Sequence, residues 1–281
     1  MSPSKRRIND LVLELKYKPV KKGWEQWHLL CADVHLDHPT CERKLLTRHL
    51  NEAQDRNAPV FFFGDTFNAT GGKFDKRRNR DDIQDEHNVN DWTDALVEDG
   101  AAFLKKWKDS IVLISLGNHE EKVLDDYGTN IARRLASQLD AEYFDYAGYV
   151  RFRMSGKMSH RANRLLYFHH GAGGGGEVTR GVIKTNRRQV YQPDPDIIVS
   201  GHIHEEWLVP VPRMRVSATD VVHEDKLYHV QLPTYMREWT GKRGFHMRRE
   251  APPKPIGAWW LILRYNGAMY DNIEVNFQLA Q

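Results

Sequence analysis

One pattern recurs five times along the chain: a short run of apolar residues ends abruptly in a cluster of polar ones. Each run is short and nearly uninterrupted, as expected of a β-strand that is buried on both faces. The runs and the clusters that follow them are His28–Ala32 before Asp33-Val34-His35, Val60–Phe63 before Gly64-Asp65, Ile111–Ile114 before Gly117-Asn118-His119-Glu120, Leu165–Phe168 before His169-His170-Gly171, and Ile197–Val199 before Gly201-His202-Ile203-His204. The pattern therefore predicts five buried strands, each with polar side chains at its carboxyl end.

Helical periodicity occupies the segments between several of these runs. An amphipathic helix is predicted to open near Asn90, because four residues that follow it are spaced by four, three and four positions. These residues are Leu96, Gly100, Phe103 and Trp107. Further helices are predicted from Thr40 to about Arg56, from Glu121 to about Gln138 and from Val178 to about Val190. Strands that alternate with helices predict an α/β fold with a largely parallel sheet, whose ligands bind beyond the carboxyl ends of the strands.

From about Glu205 onward, the pattern changes to short strand-like pieces separated by Pro and Gly turns. The pieces are Trp207–Val209, Leu227–Val230, Trp259–Leu263 and Ile273–Val275. They predict a second, mostly antiparallel sheet packed on the first. Because no linker interrupts the pattern, residues 1–281 are interpreted as one domain, with a motif-bearing core at about 24–204 and with 205–281 completing the second sheet.

Composition narrows the class of protein. With 40% hydrophobic and 28% charged residues, the chain is globular rather than disordered. It has no apolar run of the roughly 18 residues that a membrane span needs, and no apolar segment typical of a secretory signal follows its basic N-terminus, so no membrane partner is expected. Cys31 and Cys41 are too few for a disulfide framework or a four-cysteine zinc site, which favours a reducing, cytoplasmic compartment. The net charge of +3 is too small to indicate nucleic acid by itself.

The polar residues of the five clusters are of the types that bind metal ions. In chain order they are Asp33, His35, Asp65, Asn118, His119, His169 or His170, His202 and His204. Oxygen and imidazole ligands without a thiolate suit Mn²⁺, Fe or Zn²⁺ better than Ca²⁺. The set exceeds what one ion needs, whereas two ions about 3.5–4 Å apart that share a carboxylate would account for it. Asp65 is the natural bridge between them.

In this order, the motifs resemble those of the calcineurin-like metallophosphoesterase superfamily, and the resemblance covers roughly Trp27 to His204. It implies a four-layer αββα sandwich with two mixed sheets and a binuclear metal centre at the strand ends. It also implies a ligand set: Asp33, His35 and His204 for the first ion, Asn118, His170 and His202 for the second, and Asp65 as the bridge. His170 is preferred to His169 because the family's histidine is commonly followed directly by glycine. Mn²⁺ is the expected metal for both positions, with Fe, Zn²⁺ and Ni²⁺ as alternatives.

Two cations suit the hydrolysis of a phosphate ester, whose anionic oxygens repel hydroxide and whose alkoxide is a poor leaving group. They supply a metal-bound hydroxide at neutral pH and neutralise charge on the phosphoryl oxygens. By the resemblance, His119 lies beside the metals rather than on them, where it would protonate the departing oxygen as general acid. The chain is therefore predicted to be a binuclear metal-dependent phosphoester hydrolase.

Two departures from the phosphoprotein phosphatases of the superfamily narrow the substrate class. Leu116 stands where those enzymes carry an arginine, and Asn68-Ala69 replace their Asp-Arg pair. Arginine is the preferred partner of a terminal phosphate dianion, so its loss argues against a protein phosphatase and favours the phosphodiesterase and nuclease branches. Asn68 stands where those phosphatases place the carboxylate that orients the acid histidine, and an amide can still accept a hydrogen bond there but stabilises the imidazolium less.

Aromatic and basic residues interleave in three segments, which favours nucleic acid or a nucleotide as the diester substrate, possible partners being DNA and RNA. The segments are Phe74–Arg78, Tyr235–Trp239 and Phe245–Arg249. The predicted substrate contacts are Asn68, Lys76, Arg77 and Arg78. Ordinary packing of the aromatic residues stays open as the alternative. So do two other functions, a phosphomonoesterase of a small phosphorylated molecule and a non-catalytic binding scaffold, although the complete ligand set disfavours the scaffold.

Overall fold

The computed structural model describes residues 3–18, 20–72, 75–76, 83–155, 161–176, 178–216, 220–239, 250–267 and 273–280. The strands in these ranges are β1 (Ser4–Asn9), β2 (Val12–Tyr17), β3 (Glu25–Cys31), β4 (Val60–Phe63), β5 (Ile111–Ser115), β6 (Glu142–Phe144), β7 (Ala147–Ser155), β8 (Arg161–His169), β9 (Ile197–Ser200), β10 (Trp207–Val216), β11 (Val222–Gln231), β12 (Ala258–Tyr265) and β13 (Ile273–Ala280). The α-helices are α1 (Arg43–Asp55), α2 (Trp92–Leu104), α3 (Asn118–Tyr127), α4 (Ile131–Gln138) and α5 (Lys184–Tyr191). No helix in these ranges is long and apolar enough to cross a membrane.

The strands form two sheets. One has the order β13-β12-β3-β4-β5-β6, and the other has the order β1-β2-β7-β8-β9-β11-β10. In the first, β3 to β6 run parallel, β12 pairs antiparallel with β3, and β13 pairs antiparallel with β12. In the second, β2 with β7, β8 with β9, and β9 with β11 are parallel pairs, and the remaining pairs are antiparallel. Both sheets are mixed, which confirms the predicted fold class.

The strands with uninterrupted apolar runs contribute alternate residues to two different cores, because successive side chains of a strand point to opposite faces. In β4, Phe61 and Phe63 pack between the two sheets, and Val60 and Phe62 pack in the core that also contains buried residues of α1, α2 and α4. On the far side of the second sheet, α5 is attached by a hydrogen bond of 2.7 Å from Arg188 to the Ser200 hydroxyl. The chain therefore has four layers, with helices outside each of two packed sheets.

Two helix boundaries differ from the sequence prediction, and glycine explains both. The segment predicted as one helix from Glu121 to about Gln138 forms α3 and α4, because Gly128 takes a left-handed φ of 69° that ends α3. The side chain of Asn130 then caps the start of α4. The helix predicted from Val178 begins only at Lys184, after Gly181 with a φ of 77°.

The C-terminal third is divided between the sheets, whereas the sequence predicted that 205–281 completes the second sheet. β10 and β11 extend the second sheet, but β12 pairs with β3 in the first, and β13 pairs with β12. The physical reason is the uninterrupted apolar run of β12, which requires burial on both faces. Trp260 and Ile262 enter the helix-side core, and Leu261 and Leu263 enter the core between the sheets.

A histidine buried between the sheets should make the protein less stable in acid. Nδ1 of His28 donates to the Leu261 carbonyl oxygen (3.2 Å), and Nε2 accepts from the Tyr17 hydroxyl (2.7 Å). Burial lowers the pKa of His28 from 6.5 to about 3. Below pH 6.5 the unfolded chain therefore binds a proton that the folded chain does not, so the free energy of unfolding falls as the pH drops toward 3. Between pH 7 and pH 5 this loss amounts to about 2 kcal/mol.

The substitution His28→Gln removes the titrating group and should remove this part of the pH dependence. Urea denaturation of both proteins at pH 7 and pH 5 measures it. An equal loss of unfolding free energy in the two proteins would contradict the assignment.

Candidate metal centre

The polar clusters after β3, β4, β5, β8 and β9 meet where the carboxyl ends of these strands from both sheets come together. Three groups of side chains there have potential ligand atoms that all lie within 4.8 Å of one another. The groups are Asp33, His35 and His204; His35, Asp65 and His119; and Asp65, His170 and His202. Asp65 is close to members of every group and therefore lies centrally.

The first group brings together one carboxylate and two imidazoles. Nε2 of His35 lies 3.2 Å from Nε2 of His204, which in turn lies 3.4 Å from Oδ1 of Asp33. Oδ1 of Asp33 is buried and accepts no hydrogen bond from the described residues. A cation between these atoms would satisfy the carboxylate oxygen and the imidazole lone pairs together. The residues fit a metal ion.

The third group, Asp65, His170 and His202, has an amide oxygen beside it as well. Oδ1 of Asn118 lies 3.1 Å from Nε2 of His170 and 2.6 Å from Nδ1 of His202, and Oδ2 of Asp65 lies 3.2 Å from Nε2 of His170. Nδ1 of His170 is within 2.9 Å of the Phe63 carbonyl oxygen, so it donates there and Nε2 faces the group. His169 has a different partner, since its Nδ1 accepts a hydrogen bond from the backbone N–H of Gly171. Of the two neighbouring histidines, His170 faces the other potential ligands.

The buried carboxylates make this region favourable for positive charge. Burial alone would lower the pKa of His170, but Asp65 outweighs it and raises the pKa to about 10. For His204 the same opposition of burial by carboxylates, chiefly Asp33, raises the pKa to about 10. His170 and His204 are thus two positions at which the protein stabilises positive charge. Divalent ions would take over that role, because ligand histidines must be neutral.

A sequence model described as calcineurin-like phosphoesterase matches residues 28–206, which is more than half of the 281-residue chain. The chain belongs to the calcineurin-like phosphoesterase family. It is accordingly a metal-dependent phosphoesterase that uses divalent ions, as the order of its motifs predicted.

Several solved structures resemble this phosphoesterase. They include the calcineurin-like phosphoesterase YfkN of Bacillus subtilis, with 10% identity, 91% of each chain covered and a TM-score of 0.44. TM1076 of Thermotoga maritima has 14% identity, covers 90% of this chain and 98% of its own, and has a TM-score of 0.37. Vps29 of Entamoeba histolytica, complexed with Zn²⁺, has 11% identity, covers 91% and 100%, and has a TM-score of 0.36. No curated protein matches the chain in sequence.

The backbone of the phosphoesterase is strained where the predicted ligands stand. Five of them, Asp33, His35, Asp65, His202 and His204, have φ angles between 49° and 75°, a region that non-glycine residues rarely occupy. Two motif glycines provide the space for these turns. A Cβ atom at Gly117 would lie 2.1 Å from Oδ1 of Asp65, and one at Gly201 would lie 2.5 Å from Oδ2 of Asp33. A glycine of one motif thus makes room for a predicted ligand of another.

Glu120 joins two of the motifs, a role that the sequence did not reveal. It is fully buried, and its carboxylate accepts hydrogen bonds from the backbone N–H groups of Phe67 (2.8 Å), Gly117 (3.0 Å) and Asp65 (3.2 Å). The side chain therefore ties the loop after β4 to the start of α3. In sequence, Glu120 is the last residue of the cluster Gly117-Asn118-His119-Glu120, and nothing there indicates which backbone groups it binds.

His119 is held by a backbone group. Its Nδ1 lies 2.5 Å from the carbonyl oxygen of Asn68, and its Nε2 lies 4.0 Å from Oδ2 of Asp65. The side-chain amide of Asn68 donates instead to the Thr70 hydroxyl (2.9 Å). The acceptor for His119 is therefore the main chain of Asn68 and not its side-chain amide.

The predicted substrate contacts are only partly covered by the structure. Asn68 is buried and Lys76 is exposed, while Arg77 and Arg78 lie outside the described residues. In the segment Tyr235–Trp239, the Tyr235 ring is fully buried with its hydroxyl 2.8 Å from Nδ1 of His49, so it packs in the core.

A second supporting carboxylate, Glu238, comes from beyond the last motif. Its Oε1 accepts a hydrogen bond from Nδ1 of His204, which directs Nε2 of that histidine toward the first group. The hydroxyl of Thr234 and the backbone N–H of Tyr235 both donate to the carbonyl oxygen of Asp33, at 2.7 and 3.0 Å. The segment Thr234–Glu238 therefore supports two residues of the same group.

Replacing Glu238 with alanine should weaken binding of a divalent ion at the first group by about 10–100-fold, the usual effect of removing the partner of a ligand histidine. Titration of metal-free protein with Mn²⁺ by calorimetry measures it. Glu42→Ala is the matched control, because Glu42 pairs with Arg237 of the same segment rather than with His204. If both variants bind Mn²⁺ like the unmodified protein, Glu238 does not support the ion.

Proposed function

We propose that this phosphoesterase is a two-metal phosphodiesterase that acts on nucleic acid or a nucleotide. Asp33, His35 and His204 would hold one ion, Asn118, His170 and His202 would hold the other, and Asp65 would contribute to both. The observation that carries the proposal is that the potential ligand atoms form two separate groups, Asp33 with His35 and His204, and Asp65 with His170 and His202, and that Asp65 also lies within 4.8 Å of His35. Mn²⁺ is the proposed metal, because the donors are carboxylate, amide and imidazole atoms without a thiolate.

When bound, such ions supply Lewis-acid stabilisation of the phosphoryl oxygens and lower the pKa of water. The protein's own contribution to leaving-group departure is His119. Because its Nδ1 donates to the Asn68 carbonyl oxygen, Nε2 is the atom that carries a transferable proton, and the side chain is 17% exposed beside Asp65. His119 Nε2 gives that proton to the departing oxygen as general acid.

Two features support a diester as the substrate. Leu116, immediately before the Gly117 motif, is buried and apolar, so this position has no group for a terminal phosphate dianion. The Asn68 amide is engaged by Thr70. A diester carries one negative charge fewer than a monoester and has less need of such a group.

The first test compares bis-p-nitrophenyl phosphate with p-nitrophenyl phosphate on metal-stripped protein to which Mn²⁺ is returned. Faster cleavage of the diester supports the proposal. Preference for the monoester replaces it with a phosphomonoesterase of small phosphorylated molecules. Two bound ions with no cleavage of either substrate count against catalysis on simple esters and favour a binding role.

Nucleic acid as the substrate class has its own test, made with single-stranded oligonucleotides. Replacing Lys76, Arg77 and Arg78 with alanine should flatten the dependence of the logarithm of the binding constant on the logarithm of salt concentration. The expected change in slope is about 0.7 for each phosphate that the protein no longer neutralises. Binding without salt dependence in the unmodified protein would exclude this substrate class.

A further inference from the structure

We propose that Asp37 is a positioning residue that orients His119 for proton donation through the peptide group between Asn68 and Ala69. The inference rests on the proposed role of His119 as general acid. It assigns a function to a carboxylate that is not among the predicted metal ligands.

One peptide group lies between Asp37 and His119. Its carbonyl oxygen, from Asn68, lies 2.5 Å from Nδ1 of His119, and its N–H, from Ala69, donates to Oδ2 of Asp37 at 2.9 Å. The C=O and N–H bonds of a trans peptide point in opposite directions. Holding the N–H against Asp37 therefore aims the carbonyl oxygen at His119.

The other oxygen of the carboxylate strengthens this grip. Oδ1 of Asp37 accepts the backbone N–H of Asn68 at 2.5 Å, so both oxygens are bound to consecutive amides. Asp37 is itself 7% exposed, and its own carbonyl oxygen accepts from the side chain of Gln84 at 2.8 Å. A buried carboxylate with fixed partners is a rigid reference for the loop that follows β4.

The loop needs such a reference because its conformation is unfavourable. Ala69 has a φ of 49°, a left-handed angle that costs a non-glycine residue free energy and persists only where its surroundings enforce it. Without the Asp37 carboxylate, rotation of the 68–69 peptide would relieve this strain and turn the carbonyl oxygen away from His119.

The negative charge of Asp37 also acts on the hydrogen bond between the Asn68 carbonyl oxygen and His119. A carboxylate that accepts the N–H of a peptide polarises the group and makes its carbonyl oxygen a stronger acceptor, since hydrogen bonds in series reinforce one another. Asp37 thus strengthens the hydrogen bond that holds the His119 ring in place from one peptide group away. This chain has Asn68 where phosphoprotein phosphatases of the superfamily have a carboxylate, and Asp37 supplies the missing negative charge indirectly.

The test uses two diesters of similar shape that differ in their need for an acid. Phenolate is a poor leaving group and needs protonation, whereas p-nitrophenolate leaves readily without it. In the Mn²⁺-loaded enzyme, Asp37→Ala should lower kcat for diphenyl phosphate by about 10–100-fold, part of the contribution of a general acid. It should change kcat for bis-p-nitrophenyl phosphate by less than about 3-fold. Asp37→Asn, which keeps one acceptor oxygen without the charge, should give a smaller loss with the same selectivity.

Thr70→Val is the matched control, because it removes the partner of the Asn68 side chain and leaves the 68–69 peptide bonded to Asp37. It should not alter the ratio of the two rates. The Asp37→Asn variant keeps an acceptor oxygen and is therefore more certain to fold than Asp37→Ala. If it loses kcat equally on both substrates, Asp37 has a structural role, and the inference is overturned.

His119→Ala separates this outcome from failure of the proposed function. If His119→Ala is selective for diphenyl phosphate and the Asp37 variants are not, only the role of Asp37 is wrong. If His119→Ala shows no selectivity either, His119 is not the acid, and the inference falls with the function on which it rests.

Discussion

Alanine in place of His119 should slow hydrolysis of diphenyl phosphate by about 10²–10⁴-fold, the contribution of a well-placed general acid. The metal content should stay the same. Nδ1 of His119 donates a hydrogen bond to the Asn68 carbonyl oxygen, so Nε2 is the ring atom that can transfer a proton to the substrate. Removing the ring takes away the proton donor and leaves the seven predicted ligands intact. Steady-state kinetics with metal analysis by mass spectrometry measures both quantities.

His38→Ala is the control for this experiment, since the His38 ring accepts from the backbone of Thr40 and belongs to none of the three groups. It should retain activity. The decisive contrary result is loss of an ion from His119→Ala. His119 shares a group with His35 and Asp65, so such a loss would make it a ligand rather than an acid. Unchanged hydrolysis with full metal content would remove it from the mechanism altogether.

Asparagine in place of Asp65 should reduce the bound metal from two ions to one or none. Asp65 belongs to two of the three groups, together with His35 in one and with His170 and His202 in the other, so its charge would serve both proposed ions. Activity should therefore fall by more than the roughly 10–100-fold that is expected when a residue hydrogen-bonded to a metal-ligating side chain is removed. Asparagine keeps an oxygen for the backbone N–H of His119, which now donates to Oδ1 at 2.9 Å. It also tolerates the φ of 49° at this position.

Asp109→Asn is the control for this change, since Asp109 lies before the amino end of β5, at the opposite end of the sheet. Thermal denaturation of the metal-free proteins checks that both variants fold. Two ions in folded Asp65→Asn would contradict the role of bridge, whatever the activity.

The location of the centre was predictable because its signals are local. An uninterrupted apolar run such as Val60–Phe63 can be buried only on both faces, and the polar residue after it must then stand at a strand end. The same holds for all five runs, so each cluster is placed at the carboxyl end of a strand without knowledge of any contact, although β3, β4 and β5 belong to one sheet and β8 and β9 to the other. β7 also has a local sequence signal, although no polar motif follows it. Val150, Phe152 and Met154 are buried and alternate with half-buried residues, which is the pattern of a strand.

The supporting residues were not predictable, because they act across long distances or through the main chain. Glu238 stands 34 positions after His204, with no motif between them. Asp37 contacts the backbone N–H groups of residues 68 and 69, and any residues other than proline at these positions would present the same groups. Sequence pattern reveals which side chains are present, but it does not reveal that a peptide group is a partner of His119.

The position of β12 beside β3 has a consequence for synthesis of the chain. His28 and Leu261 are hydrogen-bonded although they are 233 positions apart, so β3 has no neighbour on that side until the ribosome has added most of the chain. At the usual elongation rate the wait is roughly 10–50 s. During that time, the apolar edge of β3 is open to pairing with other nascent chains. Fragments that end at residue 206, where the family match ends, would keep every predicted metal ligand and also keep that edge exposed permanently. They should therefore be recovered as aggregates rather than as a minimal enzyme.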